Sequence, residues 1–388
     1  MVHAQPITRE NSHNMQRTVT VGQKEFSAIL AAMQPIVTKR TALEATASIL
    51  VVATPNELVL KATDLEISLQ YSVPLLTTTL TEQFSFLVNG KRLFELVREL
   101  DGTVQLAIEH HQLVITAGKS CLELNIKDAQ EFPPFPERIE NLMHLDAATV
   151  SMLLEKVSFI VPQNNANQAL NGLLMEISPE GLILTGTDGH CLAQVQTTHY
   201  TLQNARSWLL PRRAIIELRK LLEGSTSALF LGLCGNQLVF STECFNFFTK
   251  LLVDTFPQYK SILAREGFGK RVVPRAELIK GLRRAACLLS GQFIATQLTF
   301  TADTVALYMH NKEVGTLKES LPIVQSPEDA TELEIRFYAP YLLEGMQMLE
   351  GATMECFLAG RSQPIILEQV NPAYTFTYLV MPVSPTAA

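Results

Sequence analysis

Two hydrophobic patterns alternate along the chain and predict its secondary structure. Runs that alternate apolar and polar positions, or that are rich in β-branched residues, are typical of strands. Apolar residues spaced three and four positions apart are typical of amphipathic helices. In residues 24–36, for example, Phe26, Ile29, Leu30 and Met33 form one stripe. Strand patterns dominate, so the chain is predicted to be rich in β-structure with a few helices.

The predicted elements recur in the same order along the chain. Helices are predicted at residues 24–36, 91–100, 147–157, 212–222, 275–289 and 341–349. Strands are predicted at 18–21, 47–53, 58–62, 66–72, 83–88, 105–109, 112–117, 120–126 and 172–177, and within 296–308. Each third of the chain is therefore expected to hold two helices and several strands.

An internal repeat underlies this order. Residues 58–69 (LVLKATDLEISL) resemble residues 182–195 (LILTGTDGHCLAQV), and their Thr-Asp pairs lie at one constant offset. The pair Phe132-Pro133 is matched at the same offset by Phe256-Pro257. In a third, weaker copy the segment 380–382 (VMP) stands in the corresponding place. Self-similarity at a fixed spacing indicates repeated structural modules.

The length of the chain agrees with three modules. Its 388 residues exceed what one hydrophobic core usually holds, and the repeat predicts modules of roughly 120 residues. We expect a disordered leader at 1–17 and domains at 18–141, 142–266 and 267–388, with linkers at 137–141 and 264–270. The leader is too polar for a signal peptide, and translation could also start at Met15.

Composition narrows the function classes. A formal charge of −7 argues against a protein coated with positive charge for nucleic acid, so any DNA role must rest on local basic faces. The six cysteines are scattered without a C-x-x-C pair, which predicts buried thiols in a reducing cytosol and no metal site or disulfide framework. No apolar run reaches the length of a membrane span, so no membrane association is expected.

Motifs of catalysis are largely missing from the sequence. There is no P-loop, no G-x-S-x-G elbow, no dinucleotide fingerprint and no H-E-x-x-H, and no cofactor is expected. Asp188 and His190 could form an acid/base pair. An Asp188-Gly189 hairpin turn between two apolar runs explains them better, because such turns require Gly-type backbone. Asp64 stands in the same position with no histidine two residues on. We therefore predict no catalytic residues.

Basic residues recur on or beside the predicted helices. They are Lys24, Lys91, Arg92, Arg98, Arg212, Arg213, Arg219, Lys220, Arg275, Lys280, Arg283 and Arg284. Taken singly, such charges are usually a solvated helix face. If the modules all turn their helices to one side, the charges instead sum into a positive lining for phosphates.

Six segments in this order resemble one family. They are TDLEI from Thr63, LNG from Leu170, TDGH from Thr187, LLPRRAIIEL from Leu209, FPQYKSIL from Phe256 and YLVMPV from Tyr378. Together, over nearly the whole chain, they are similar to the bacterial DNA polymerase III beta subunits, the sliding clamps. The resemblance implies an α+β fold of three repeated β-rich clamp domains, each with two helices. It also implies a head-to-tail homodimer that closes a six-domain ring around double-stranded DNA.

Such clamps are not enzymes; they tether partners that bind a hydrophobic cleft between the second and third domains. The resemblance implies the partners to be the DNA polymerase III alpha subunit, the clamp-loader delta subunit and other proteins with clamp motifs, in the cytoplasm. The implied cleft residues are Leu170, Thr187, Gly189, His190, Leu192, Pro257, Ile262, Pro364, Leu379, Met381, Pro382 and Val383. The implied DNA-binding residues are Arg40, Lys91, Arg92, Asn164, Arg212 and Arg213, and the implied dimer contact sets Lys119 and Leu122 against Leu288 and Leu289.

The cleft assignment has a competing explanation, since all twelve residues could be ordinary core. The apolar chain end 378–383 favours a cleft, because we expect it to be exposed and to need a partner. Truncating Leu379 and Met381 is then expected to weaken peptide binding with little effect on folding.

Three departures from the family bear on peptide selectivity. Cys191 stands where clamps usually carry Arg after T-D-G-H, LEATASIL from Leu43 replaces an L-P-I-L run, and a tail from Ser384 extends past the cleft. Two other functions remain open. One is a clamp-like peptide-binding scaffold that does not encircle DNA, and the other is a hydrolase that uses Asp188 and His190.

Overall fold

The structure is a computed structural model that describes residues 18–38, 42–109, 111–291, 293–328 and 330–383. The predicted leader, Arg40 and the tail from Ser384 lie outside the described residues. Within them the chain forms twenty-five strands and six α-helices. The α+β class and the presence of two helices in each module are confirmed.

The first module begins with a strand that leads directly into a helix. Its elements are β1 (Thr18–Gly22), α1 (Gln23–Val37), β2 (Ser48–Ala53), β3 (Leu58–Thr63), β4 (Ile67–Val73), β5 (Leu75–Thr78), β6 (Phe84–Asn89), α2 (Gly90–Val97), β7 (Thr103–Glu109), β8 (Gln112–Ala117) and β9 (Ser120–Asp128). Helix α1 buries the predicted stripe of Phe26, Ile29, Leu30 and Met33 and packs against α2. The periodicity of the sequence therefore identified the core face of this helix.

The second module repeats this order. Its elements are β10 (Glu140–Asp146), α3 (Ala147–Ser158), β11 (Gly172–Ser178), β12 (Gly181–Thr187), β13 (Cys191–Thr197), β14 (Arg206–Pro211), α4 (Arg212–Leu222), β15 (Ala228–Cys234), β16 (Gln237–Ser241) and β17 (Phe245–Lys250). Asp146 caps α3 by accepting a hydrogen bond from the backbone N–H of Thr149 at 2.8 Å. Helices α3 and α4 pack on each other as α1 and α2 do.

The third module has the same plan. Its elements are β18 (Gly269–Pro274), α5 (Arg275–Ala286), β19 (Thr296–Phe300), β20 (Thr304–Asn311), β21 (Gly315–Pro322), β22 (Leu333–Phe337), α6 (Ala339–Met348), β23 (Thr353–Leu358), β24 (Ile365–Val370) and β25 (Thr375–Val380). Helices α5 and α6 form the third helix pair.

Two compact units divide the chain differently from the predicted domains. One contains the first module with residues 230–249, and the other contains residues 143–229 together with residues 250–383. The division follows strand pairing between modules. Strand β17 pairs antiparallel with β4 in the first unit, and β25 pairs antiparallel with β13 in the second. The boundaries at 141/142 and 266/267 stay predictions.

Several predicted boundaries are wrong in detail. The expected linkers contain the starts of β10 and β18, and β5 was not predicted. The helix expected at 275–289 ends at Ala286, shortly before Ser290 and Gly291 take positive φ angles of 40° and 77°. The strands expected within 296–308 are a hairpin of β19 and β20, and β20 continues to Asn311. Such ends depend on local backbone geometry that hydrophobic patterns do not encode.

The cysteine expectation is also partly wrong. All six thiols are free, but only Cys191 and Cys356 are buried, whereas Cys121, Cys244 and Cys287 are exposed. The described residues contain no cluster of His, Cys, Asp or Glu suited to a metal ion. In the same part of the chain, no helix is both long and apolar enough to cross a membrane.

Candidate functional site

The Thr-Asp turn between β12 and β13 forms the base of the candidate site. The Asp188 carboxylate accepts hydrogen bonds from the backbone N–H groups of His190 at 2.8 Å and Cys191 at 2.7 Å. The Thr187 hydroxyl donates to the Cys191 carbonyl at 2.6 Å. Gly189 takes a φ of 94°, a backbone conformation that glycine adopts more readily than any other residue. The predicted hairpin is confirmed.

The first module builds the same turn without a glycine or a histidine. Asp64 accepts from the N–H groups of Glu66 and Ile67, both at 2.9 Å, and the Thr63 hydroxyl donates to the Ile67 carbonyl at 3.2 Å. Leu65 occupies the glycine position with a φ of 76°. Because Asp64 and Asp188 hold identical turns, the aspartate is a structural residue, which removes the main reason for an acid/base role of Asp188.

His190 lies on the surface and meets the third module. Its ring stacks on Tyr341 of α6 with centroids 5.6 Å apart and planes at 17°. Its carbonyl accepts a hydrogen bond from the backbone N–H of Met381 at 2.9 Å. The turn of the second module therefore touches both the helix and the chain end of the third.

A small apolar cluster lies beside this turn. Strands β13 and β25 place Leu192 directly opposite Leu379. Around this pair the structure gathers Ala169, Leu209, Phe256, Tyr259 and Ile366, all of them buried. Phe256 and Tyr259 meet edge to face at 5.9 Å. Three of the segments that carry the family resemblance, those from Leu209, Phe256 and Tyr378, therefore converge in space, although they are far apart in sequence.

The predicted cleft residues differ in how they meet solvent. Met381 and Ile262 are 37% and 41% exposed, Gly189, His190 and Pro257 are also exposed, and Pro382 and Val383 are half-buried. Leu170, Thr187, Leu192, Pro364 and Leu379 are buried. The predicted set thus divides into an exposed group, which we call the rim, and a buried group, which we call the floor. Its function in binding peptides stays a prediction.

The expectation for the chain end is wrong for its first half. Residues 378–380 are the middle strand between β13 and β24, and Leu379 is only 1% exposed. Of the described chain end, only residues 381–383 extend past the sheet. A chain end rich in apolar residues can be a core strand, and the sequence alone did not distinguish this from an exposed tail.

Beneath the rim, Tyr378 packs tightly against α6. Its hydroxyl donates to the Tyr341 carbonyl at 2.6 Å, and a Cβ on Gly345 would lie 2.0 Å from its ring. Cys191 is buried next to it, and burial raises the pKa of the Cys191 thiol far above its usual value. This thiol is therefore an unreactive packing group.

Three residues of the site were not predicted. Phe256 and Tyr259 belong to the apolar cluster, and Tyr341 forms the rim with His190. Tyr259 donates its hydroxyl to the Glu176 carboxylate, and burial together with this carboxylate raises the pKa of Tyr259. The segment FPQYKSIL contained two of these residues, so the signal for them was the motif itself.

Apart from Arg40, which lies outside the described residues, the predicted DNA-binding residues of the first unit lie on α2. Lys91 and Arg92 occupy its first turn and are exposed. Their side chains pair with Glu95 at 3.7 Å and 2.9 Å. Cations at a helix N-terminus oppose the helix dipole, so their presence there is not explained by helix stability.

The second unit repeats this arrangement on α4. Arg212 and Arg213 open the helix, and Arg212 Nε donates to the Val161 carbonyl at 2.8 Å. Asn164 is exposed in the loop that follows α3. Both helices therefore begin with a basic pair at corresponding positions.

The predicted dimer residues lie in two separate segments. Lys119 is exposed in the turn before β9, and Leu122 is half-buried on that strand. Leu288 is half-buried after α5, but Leu289 is only 7% exposed. Leu289 is thus a core residue, so placing a charge there would disturb the fold itself.

Comparison with known proteins identifies the family. The model of the DNA polymerase III beta subunit N-terminal domain matches residues 17–136, that of the central domain matches 144–258, and that of the C-terminal domain matches 260–384. A beta sliding clamp of Pseudomonas putida is 26% identical over 367 residues, covering 94% of this chain and 98% of that protein. The beta sliding clamp of Bacillus subtilis is 24% identical over 359 residues, covering 89% and 94%.

Solved structures show the same fold. The DNA polymerase III subunit beta of Pseudomonas aeruginosa superposes with a TM-score of 0.86 at 24% identity, covering 94% of this chain and 99% of that one. The sliding clamp of Bacillus subtilis gives 0.87 at 22%, covering 95% and 99%. Membership indicates an accessory factor of DNA replication. The three domain models match in the order in which the three modules occur, and the chain accordingly belongs to the DNA polymerase III beta subunit family, the DNA sliding clamps that serve as processivity factors in replication.

Proposed function

We propose that two copies of the chain join head to tail into a six-domain ring that encircles double-stranded DNA. The observation that carries this proposal is the strand pairing between modules. In each internal junction the last strand of one module pairs with the hairpin strand of the module before it, β17 with β4 and β25 with β13. The same rule applied once more joins the third module of one copy to the first of the next.

The two strands that this rule would join have open edges. Residues 120–125 of β9 pair with β8 on one side, and only its last three residues pair with β6. Strand β21, the counterpart of β4 and β13, is the outer strand of a four-stranded sheet. Leu122, Leu124 and Ile126 alternate along β9, and no residue of this strand is buried. An exposed apolar edge strand is a liability unless a partner covers it.

The second unit also supports the predicted contact of Leu122 with Leu288. Phe159, the C-cap residue of α3, packs against Tyr378 on β25 with ring centroids 5.8 Å apart. The corresponding C-cap of α5 is Cys287, which precedes Leu288, and the strand corresponding to β25 is β9. A partner's β9 would therefore lie against the end of α5. Such a contact is heterologous and closes when its rotation brings the second copy back to the first.

Light scattering tests the dimer. Leu122→Asp places a charge at the proposed contact without touching a buried side chain, so we expect a folded monomer. Leu76→Asp is the matched control, because Leu76 is a 56% exposed leucine on another edge strand of the same unit. A Leu122→Asp protein that remains dimeric at micromolar concentration would refute this placement.

The basic pairs at the starts of α2 and α4 support the DNA role. We propose that Lys91, Arg92, Arg212, Arg213 and Asn164, with Arg40, face the DNA backbone inside the ring. Net negative charge predicts weak binding to linear DNA, and a closed ring is held on circular DNA by topology rather than by salt-sensitive contacts. An open scaffold that does not encircle DNA predicts equal retention on both forms, and the family does not favour it.

Retention on nicked circles after loading is the discriminating measurement. We expect a loaded circle to keep the protein in high salt and to lose it when the DNA is linearised. Arg212→Ala with Arg213→Ala should lower loading, whereas Arg206→Ala on β14 should not. Loss of retention from circles at moderate salt, with the dimer intact, would exclude encirclement.

We further propose that the apolar cluster and its rim bind short peptides of replication partners. By family these include the DNA polymerase III alpha subunit and the clamp-loader delta subunit. Exposed Met381 lies beside the His190–Tyr341 rim through its hydrogen bond to the His190 carbonyl, and Ile262 is a second exposed apolar residue, which suits a peptide with one or two large apolar side chains. Titration with a peptide containing Gln, Leu and Phe, compared with its Ala-substituted form, tests this role.

A further inference from the structure

A buried lysine of α3, Lys156, contacts the C-terminal end of α6. Lys156 lies in the last turn of α3 and is only 8% exposed. Its ammonium group donates to the Met348 carbonyl at 2.7 Å and to the Glu350 carboxylate at 2.6 Å. A buried charge is costly unless it is paired, so this contact between the second and third modules is well defined in geometry.

This contact caps the C-terminal end of α6. A helix end leaves carbonyl groups without intrahelical partners and carries partial negative charge. Arg275 donates to the carbonyls of Met346 and Gln347 at 3.1 Å and 3.4 Å, and Lys156 takes that of Met348. One cation thus comes from the third module and one from the second.

Tyr374 completes the arrangement. Its hydroxyl donates to the Glu350 carboxylate at 3.2 Å, and its ring lies 5.4 Å from the Lys156 ammonium. Burial by itself would lower the pKa of Lys156, but the bonds to Glu350 and Tyr374 leave it raised, so the lysine is charged at neutral pH. The end of α6 is therefore held by a persistent charge.

The opposite end of α6 carries the rim of the cleft. Tyr341 lies in its first turn and stacks on His190. Tyr341 and Met348 are seven residues apart, or about 10 Å along a helix. Pivoting the helix by about 5° at one end shifts the other by roughly 1 Å, which is enough to spoil a contact surface.

We propose that Lys156 is a positioning residue for the peptide cleft, which fixes α6 against the second module and thereby holds the His190–Tyr341 rim. This inference rests on the proposed peptide-binding function. It adds that partner affinity depends on a residue that the peptide never touches. Lys156 and Glu350 act as one pair, and Lys156 also acts alone through the Met348 carbonyl.

Three variants separate positioning from simple stability. Lys156→Met keeps the apolar stem and removes both bonds, Glu350→Gln weakens only the ion pair, and Lys156→Arg restores a cation. Val305→Ala is the control, because it opens a cavity in the sheet core of the third module, on a strand that pairs with β19 and β21. All four are compared as dimers by thermal melting before any binding measurement.

Two readouts are used on each variant. The first is the proton resonance of the His190 ring, assigned with His190→Gln, because the Tyr341 ring shifts it only while the two are stacked. The second is calorimetric titration with the Gln-, Leu- and Phe-containing peptide. We expect Lys156→Met to move the resonance and to weaken binding about five- to tenfold, at the low end of the coupling found between separate sites. Glu350→Gln should have a smaller effect, and Lys156→Arg should recover most of the loss.

The outcomes distinguish the two proposals. If the wild-type protein binds no peptide, the proposed cleft function fails, whereas the His190 resonance still reports on positioning. If Lys156→Met keeps wild-type affinity and an unmoved resonance, the positioning role is overturned and the cleft stands. If Val305→Ala, at an equal loss of melting temperature, weakens binding as much as Lys156→Met, Lys156 acts only through stability and the inference is wrong.

Discussion

Truncation of Met381 should weaken peptide binding, whereas truncation of Leu379, only two residues away, should destabilise the fold. A fully buried methionine side chain contributes about 1.5–3 kcal/mol. Met381 is 37% exposed, so a peptide can cover only about a third of it. Met381→Ala should therefore cost about 0.5–1 kcal/mol of binding, or roughly a two- to fivefold weaker Kd. Its effect on melting should be small.

Leu379 offers a peptide almost no surface, because it is 1% exposed and packs with Leu192 and Ile366. Leu379→Ala leaves a cavity at this position and should cost about 2–5 kcal/mol of folding stability. The expectation that both truncations spare the fold is thus replaced by a division of roles. Leu379 supports the floor of the site, and Met381 contacts the partner.

Calorimetric titration and thermal melting on the two single variants separate these effects. Val370→Ala serves as a control for Met381→Ala, since Val370 is another exposed apolar residue of the third module. Val370 ends β24, whereas Met381 lies next to the start of that strand. A Leu379→Ala protein that melts like wild type but binds peptide poorly would mean that the cleft opens and that Leu379 is contacted directly. That result would refute the division drawn from burial.

Three further outcomes follow from the same contacts. Asp64→Ala and Asp188→Ala should each cost about 1–2 kcal/mol in urea unfolding, because two backbone N–H groups lose their acceptor; equal stability to wild type would show that water replaces the carboxylate. Burial, and to a smaller extent the charge of Asp188, raise the pKa of the Glu344 carboxyl. Ionised Glu344 therefore destabilises the folded state when the pH lies above that pKa. Glu344→Gln should raise stability by less than about 0.5 kcal/mol at pH 7, since the side chain is partly exposed, and not at all below the unfolded value of about 4.3; a gain that persists in acid would contradict this sign. Gly345→Ala should lower the melting temperature or the soluble yield, because its Cβ would lie 2.0 Å from the Tyr378 ring.

The repeated pattern was sufficient to predict the modular fold. The stripe of α1 and the Asp188-Gly189 turn depend on neighbours within a few residues, and both were predicted correctly. The family motifs identified most of the rim because each motif carries its own local geometry. Features that depend only on nearby sequence are therefore the ones that pattern analysis recovers.

Features that depend on distant partners were not recoverable. Whether β25 is an exposed end or a central strand is decided by β13 and β24, which nothing in YLVMPV specifies. Leu289 ends a predicted helix and was expected in the dimer contact, but the third module's core buries it. Lys156 reads as an ordinary helix charge, and only its pairing with Glu350 on another module reveals its position.

The pairing of β17 with β4 means that a cut in the chain need not separate its pieces. Thr249 lies opposite Ile67 and Phe245 opposite Tyr71, so the strand belongs to the first module's sheet although it is encoded far downstream. A protease that nicks the chain near residue 136 would leave two fragments still joined by a continuous antiparallel ladder. They should elute together under native conditions and separate only in denaturant, so a domain excised at that point would lack a strand that its sheet normally borrows.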